Sequence, residues 1–148
     1  MIKQLTLILS FTLLYSNNIF AYNVNNECEK QLNKGKFEEA LKAANSVKDK
    51  YDSNFCKGKA NFRLRNNDQA IKDFEIAEKE ASIQADQMQA ILFKGITQRD
   101  SGDFKGSNKT FTYGFQTAEL GNSKYLQYEH RFLYQLGINM LRTKEFLD

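Results

Sequence analysis

Beyond residue 22, apolar residues recur at steps of three and four along almost the whole chain, and no Pro interrupts them. That period is helical, and no run with period two is long enough to argue a strand. Phe37, Ala40, Leu41 and Ala44 begin one stripe that continues to Val47 and Tyr51. Ala70, Ile71, Phe74, Ala77 and Ala81 form a second, and Met88, Ile91, Leu92, Gly95 and Ile96 a third. Phe104, Phe111, Phe115 and Ala118 make a fourth, and Leu126, Leu133, Leu136, Met140 and Leu141 a fifth. Each stripe covers one face, so each helix must pack on a neighbour. The breaks are short: Lys34-Gly35-Lys36, Arg65-Asn66-Asn67-Asp68, Ser101-Gly102-Asp103 and Gly121-Asn122-Ser123. Gly35 and Gly102 suit the left-handed position after a helix, and Asp68 and Asp103 suit the cap of the next. The pattern predicts helices over 23–34, 36–50, 53–65, 67–81, 84–100, 103–120 and 124–143, joined by short loops into antiparallel pairs.

The first 21 residues carry a different signal. Lys3 precedes an apolar run from Leu5 to Tyr15, polar Ser16, Asn17 and Asn18 close it, and Ile19-Phe20-Ala21 follows. This is the pattern of a secretory signal peptide cleaved after Ala21. The run is shorter than the roughly 20 apolar residues of a membrane span. The domains expected are therefore a signal peptide, 1–21, and one helical domain, 22–148. The mature chain is expected to be soluble, periplasmic or secreted, with no stable membrane insertion after cleavage. A chain of 148 residues with 21 Lys+Arg against 18 Asp+Glu is too evenly charged to suggest a nucleic-acid binder.

The stripes repeat one another. Gly35-Lys36-Phe37 with Ala40, Asn66-Asn67-Asp68 with Ala70, Phe74 and Ala77, and Gly102-Asp103-Phe104 with Ser107, Phe111 and Gly114 share one order: a turn, a small residue, then further aromatic or small residues. Gly58 and Gly95 stand midway along the preceding helices, Cys28 takes the equivalent place in the first copy, and Gly137 in the last. This arrangement resembles the tetratricopeptide repeat (TPR) family, whose unit is a helix–turn–helix of about 34 residues. The resemblance covers most of residues 23–146. It departs from the family in lacking the opening Trp of the first helices and the Pro between repeats. It implies an all-α, right-handed α-solenoid of about three repeats, with the last helix as a C-terminal capping helix whose outward face is polar. A fourth copy starts in the last helix, where Leu136-Gly137 and then Lys144-Glu145-Phe146 match the family's Leu-Gly and turn-aromatic spacing. An unrelated helical bundle is the alternative.

Several residues carry candidate chemistry. Cys28 and Cys56 fall in the first helices of adjacent repeats; they are either bridged or two buried thiols, and an oxidising compartment favours the bridge. With no Cys-x-x-Cys, a thiol–disulfide enzyme is not expected. His130 has no placed nucleophile or acid beside it and reads as a surface or half-buried residue. The acids Glu38-Glu39, Asp73/Glu75 and Glu78/Glu80 read as solvated helix faces. One His and two Cys exclude a four-ligand zinc site of those types, and no phosphate loop is present, so no metal or cofactor is expected. Phe111, Tyr113, Phe115, Tyr125, Tyr128, Phe132 and Tyr134 are too many for two stripes; the surplus either packs in the core or forms an exposed contact patch.

In the resembled family the first helix of each pair lines a concave groove that holds a peptide or partner protein. That places Phe55, Lys59, Phe62 and Arg63 from the second repeat and Leu92, Ile96, Arg99 and Asp100 from the third in the groove. Tyr134, Ile138 and Leu141 join them from the last helix. The positions of the family's chaperone-tail clamp hold Asn25, Glu29, Cys56, Gln89 and Phe93, so that mode is not expected. The function implied is a non-enzymatic scaffold of the bacterial cell envelope that binds a protein or peptide, existing as a monomer or self-associating weakly. The alternatives are a secreted effector that binds a host protein and, third, a small envelope hydrolase using Glu or His130.

Overall fold

A computed structural model describes residues 27–143. The expected leader 1–21 with its cut after Ala21, and the turn Lys144-Glu145-Phe146 of the expected fourth copy, lie outside the described residues. Seven α-helices follow in order: α1 (Glu27–Asn33), α2 (Phe37–Ala44), α3 (Lys50–Arg63), α4 (Asn67–Glu80), α5 (Gln84–Asp100), α6 (Phe104–Glu119) and α7 (Leu126–Thr143). One 3-10 turn, Asn122–Tyr125, leads into α7. No strand occurs among the described residues.

The turns work as local chemistry requires. Gly35 (φ 73°) and Gly102 (φ 91°) are left-handed after α1 and α5, and Arg65 (φ 65°) takes the same place after α3. That conformation strains a side-chain-bearing residue and is free for Gly. Asp103 accepts from the Gly106 amide at 2.8 Å and caps α6. Asp68 does not cap α4; it lies inside the first turn, after Asn66. The largest boundary difference lies between α2 and α3. Helix α2 stops at Ala44, and Asp49 accepts from the Asp52 amide at 2.9 Å, so α3 starts three residues before the expected Ser53. Val47 therefore sits in a loop, and Tyr51 belongs to α3 rather than to the stripe of α2.

Each helix packs on the next in the chain, and α1 also meets α3, α3 meets α5, and α5 meets α7. The odd-numbered helices thus form one continuous layer and the even-numbered helices lie behind it. The core comes in three segments in chain order. Cys28, Ala40, Ala44, Cys56 and Ala60 form the first. Tyr51, Phe55, Ala70, Phe74, Ala77 and Ala90 form the second. Met88, Ile91, Leu92, Phe111, Ala118, Tyr125, Tyr128 and Phe132 form the third.

Glycines make the close approaches inside a pair. A Cβ on Gly58 would lie 2.5 Å from the Phe74 ring, one on Gly95 2.4 Å from Phe111, and one on Gly114 2.4 Å from Phe132. Each ring fills the space that the missing side chain leaves. The first segment lacks such a pair. Cys28 replaces the glycine, Ala44 replaces the phenylalanine, and the Cys28–Cys56 disulfide joins α1 to α3 instead.

Helix α7 does not fit the expected cap. Its buried arc carries Tyr128, Phe132 and Asn139. The opposite, solvent-facing arc is mostly apolar rather than polar, with Leu126, Leu133, Tyr134, Met140 and Leu141 all exposed and His130 the polar residue among them. Helix α7 is thus apolar on its buried arc and largely apolar on its exposed one.

Candidate interaction face

Within the layer of odd-numbered helices, polar contacts join α1 to α3 and α5 to α7, and the Phe55 and Phe93 rings meet between α3 and α5. Lys59 on α3 pairs with Glu29 on α1. Arg99 on α5 donates to the Gln135 side chain on α7, and the Arg142 guanidinium lies 3.8 Å from the Asp100 carboxylate. Glu29, Lys59, Ile96 and Ile138 are each the residue after the small position of their repeat, which is why the register brings them to one face.

A cavity of about 380 Å³ opens on this layer between α1, α3 and α5. Leu32, Phe37, Phe62 and Phe93 supply its apolar walls, and Glu29, Asn33, Lys59 and Arg63 its polar edge. Lys59 is held twice, by the Glu29 carboxylate and over the Phe55 ring at 4.9 Å. Burial lowers the Lys59 pKa from its usual value, and the bond to Glu29 opposes that shift. Arg63 is exposed, with its guanidinium 5.3 Å from the centre of the Phe37 ring. Stacking fixes the guanidinium plane and leaves N–H donors at its edge.

The structure divides the residues expected to line a groove. Lys59, Phe62 and Arg63 come together around this cavity. Ile96 and Ile138 are half-buried farther along the layer, and Tyr134 and Leu141 are exposed on the outer arc of α7. Phe55 and Leu92 are corrected: at 0% and 1% exposure they belong to the core, where Phe55 packs against Phe74 and Phe93. Arg99 is 8% exposed and committed to Gln135 and Asp100, so it braces the layer and is not a free contact. Glu29, Leu32 and Phe37 were missed as groove residues. The first repeat matches the pattern least, yet Glu29 follows Cys28 as Lys59 follows Gly58, and that register was the available signal.

The remaining candidates sort cleanly. The two cysteines are joined. His130 is exposed. Asp73 is corrected from a solvated acid to a buried one, accepting from Asn61 at 2.7 Å and Gln69 at 2.8 Å. Glu78 is mostly buried and pairs with Lys94 at 2.6 Å. Of the aromatic group, Phe111, Tyr125, Tyr128 and Phe132 are core, while Tyr113 and Tyr134 are exposed. Asp52 and Asp86 have raised pKa values, chiefly from burial and then from neighbouring acids that include Asp49. Among the described residues no group of three or more His, Cys, Asp or Glu is placed to hold a metal ion, and no helix is long and apolar enough to cross a membrane.

No protein-family model, curated protein or solved structure matches the chain.

Proposed function

We propose that the protein is a non-enzymatic scaffold of TPR-like helical repeats that binds a peptide segment of a partner on the layer of its odd-numbered helices. The observation that carries this reading is the cavity between α1, α3 and α5, where Phe62 and Phe37 flank the exposed Arg63 guanidinium. Apolar walls beside a positioned guanidinium suit a short segment with one apolar anchor and a neighbouring carboxylate. The Glu29–Lys59 pair fixes the relative position of two walls, so the pocket is shaped before a ligand arrives. The disulfide between Cys28 and Cys56 supports a place in an oxidising compartment, as the sequence of residues 1–21 also does.

A displayed library of random peptides selected on the purified, oxidised protein tests the reading. Enriched peptides should share an aliphatic or aromatic residue near an Asp or Glu. Phe62→Ala and Arg63→Glu should each weaken their binding by about tenfold or more, because a rim charge reversal repels the acid and the Ala removes a wall. Failure to enrich any motif, or binding indifferent to both substitutions, overturns it.

A further inference from the structure

The outer arc of α7 is the largest feature that the peptide-binding reading does not use. Its apolar residues fall within about 120° of the helix circumference at 100° per residue, with the exposed His130 among them. Leu126, Leu133, Tyr134, Met140 and Leu141 are exposed by 48%, 50%, 68%, 38% and 72%. Gly137 lies at the middle of this arc, and a Cβ there would meet nothing within 4 Å among the described residues. Gly58 and Gly95, at the same place in their repeats, each receive a phenylalanine ring from the next helix in the chain. Gly137 thus stands at the position where a ring approaches Gly58 and Gly95, and among the described residues nothing approaches it.

The pattern around Gly137 is symmetric. Tyr134 and Met140 stand three residues before and after it, and Leu133 and Leu141 four before and after. An antiparallel copy of α7 crossing at Gly137 sets Leu133 against the Leu141 of the other chain and Tyr134 against its Met140. By the same two-fold each contact is made twice, as an isologous interface requires. From Phe132 to Leu141 no residue carries a charge, so two copies meet without like-charge repulsion. A small residue at the crossing lets the two backbones approach, as Gly58 and Gly95 do inside the fold.

We propose that the protein forms a two-fold dimer through antiparallel pairing of α7 with α7 of a second copy, centred on Gly137. The interface is small and dissociates reversibly. It leaves the cavity between α1, α3 and α5 open on both chains, so each dimer presents two such pockets.

A charge exchange tests the pairing. The chain is purified from an oxidising expression compartment, its N-terminus is read by mass spectrometry, and its mass is followed by sedimentation equilibrium over increasing concentration. Wild type should approach twice the monomer mass. Leu141→Glu and Leu133→Lys each place a charge against a leucine and should raise the dissociation constant by about tenfold or more. The Leu133→Lys/Leu141→Glu chain sets Lys against Glu at both contacts and should regain the dimer, losing it again at high salt. Both positions of change are solvent-facing, and unchanged circular dichroism establishes that the variants fold. A wild type that stays monomeric, as it would if another protein's helix covers this arc, overturns the proposal. So does a dimer that survives Leu141→Glu, or a double variant that remains monomeric.

Discussion

The same substitution should act with opposite sign at two glycines that look alike in sequence. Gly95→Ala drives a methyl group to 2.4 Å from the fully buried Phe111 ring. Overpacking of this kind costs about 1–3 kcal/mol. Gly137→Ala meets no atom of the described residues within 4 Å. At concentrations where the chain is monomeric it should stabilise by up to about 1 kcal/mol through helix propensity. Urea unfolding followed by circular dichroism reads both. A second residue-scale prediction concerns Tyr51, which is stacked on Phe55 with ring centres 5.4 Å apart. Its buried hydroxyl has no hydrogen-bond partner among the described residues. Burial, and then the charge of Asp86, raise its pKa from 10. A folded tyrosine that resists ionisation favours the folded state while neutral. That contribution is whole below pH 10, where the unfolded tyrosine is also neutral, and it is lost as pH rises above that value. Because the buried hydroxyl has no partner among the described residues, Tyr51→Phe should stabilise the protein near neutral pH by about 1 kcal/mol. It should also flatten the alkaline limb of a stability–pH curve, and an unchanged limb would place that loss at Tyr128 or elsewhere. The glycine spacing was legible in the sequence, because Gly58 to Phe74 and Gly95 to Phe111 span the same interval. The burial of Phe55 and Leu92 was not. Position along a repeat says which helix face a residue shares, and only the packed neighbours say how far that face is covered.

At the scale of elements, α1 and α2 are the weak end. Helix α2 has 8 residues, too short to be stable alone, and α1 has 7 among the described residues. The core segment they share consists of alanines and the two cysteines, without one aromatic ring. The disulfide, closing a separation of 28 residues, stands in for that missing volume. In the chain-entropy account it contributes about 3–4 kcal/mol. Reduction, or Cys28→Ala with Cys56→Ala, should lose that amount and act locally. Hydrogen exchange should quicken through 27–44 while α5 to α7 keep their protection. Equal quickening along the chain would mean that the bridge supports the whole fold rather than its first pair. Helix existence was readable throughout, since the apolar period of 3.6 survives in every element. The end of α2 was not, because Val47 and Tyr51 prolong the stripe in sequence. Asp49 caps a new helix there by accepting from the Asp52 amide, and a one-residue cap outweighs a continued apolar period.

On the scale of the whole molecule, the three core segments touch in series and never close on themselves. Helix α3 turns Cys56 and Ala60 to the first segment and Tyr51 and Phe55 to the second. Helix α5 turns Ala90 to the second segment and Met88, Ile91 and Leu92 to the third. Coupling between the two ends must therefore pass through single helices with two apolar faces. A chain built this way has a stability that is close to a sum of local terms and contacts between neighbours. Phe132→Ala removes a fully buried ring that faces both Phe111 and Gly114. It should cost about 3–5 kcal/mol. The loss should fall on α6 and α7, with α1 to α3 retaining their exchange protection behind the disulfide. Unfolding curves of this variant should then separate into two transitions, one seen at the tyrosines near α7 and one by overall helicity. A single transition, with exchange quickened evenly from 27 to 143, would show that the molecule folds as one cooperative unit despite its serial core. The peptide cavity lies on α1, α3 and α5, so a serial molecule keeps it when α7 loosens. Phe132→Ala should accordingly retain peptide binding while losing the dimer, which separates the two surfaces in one protein.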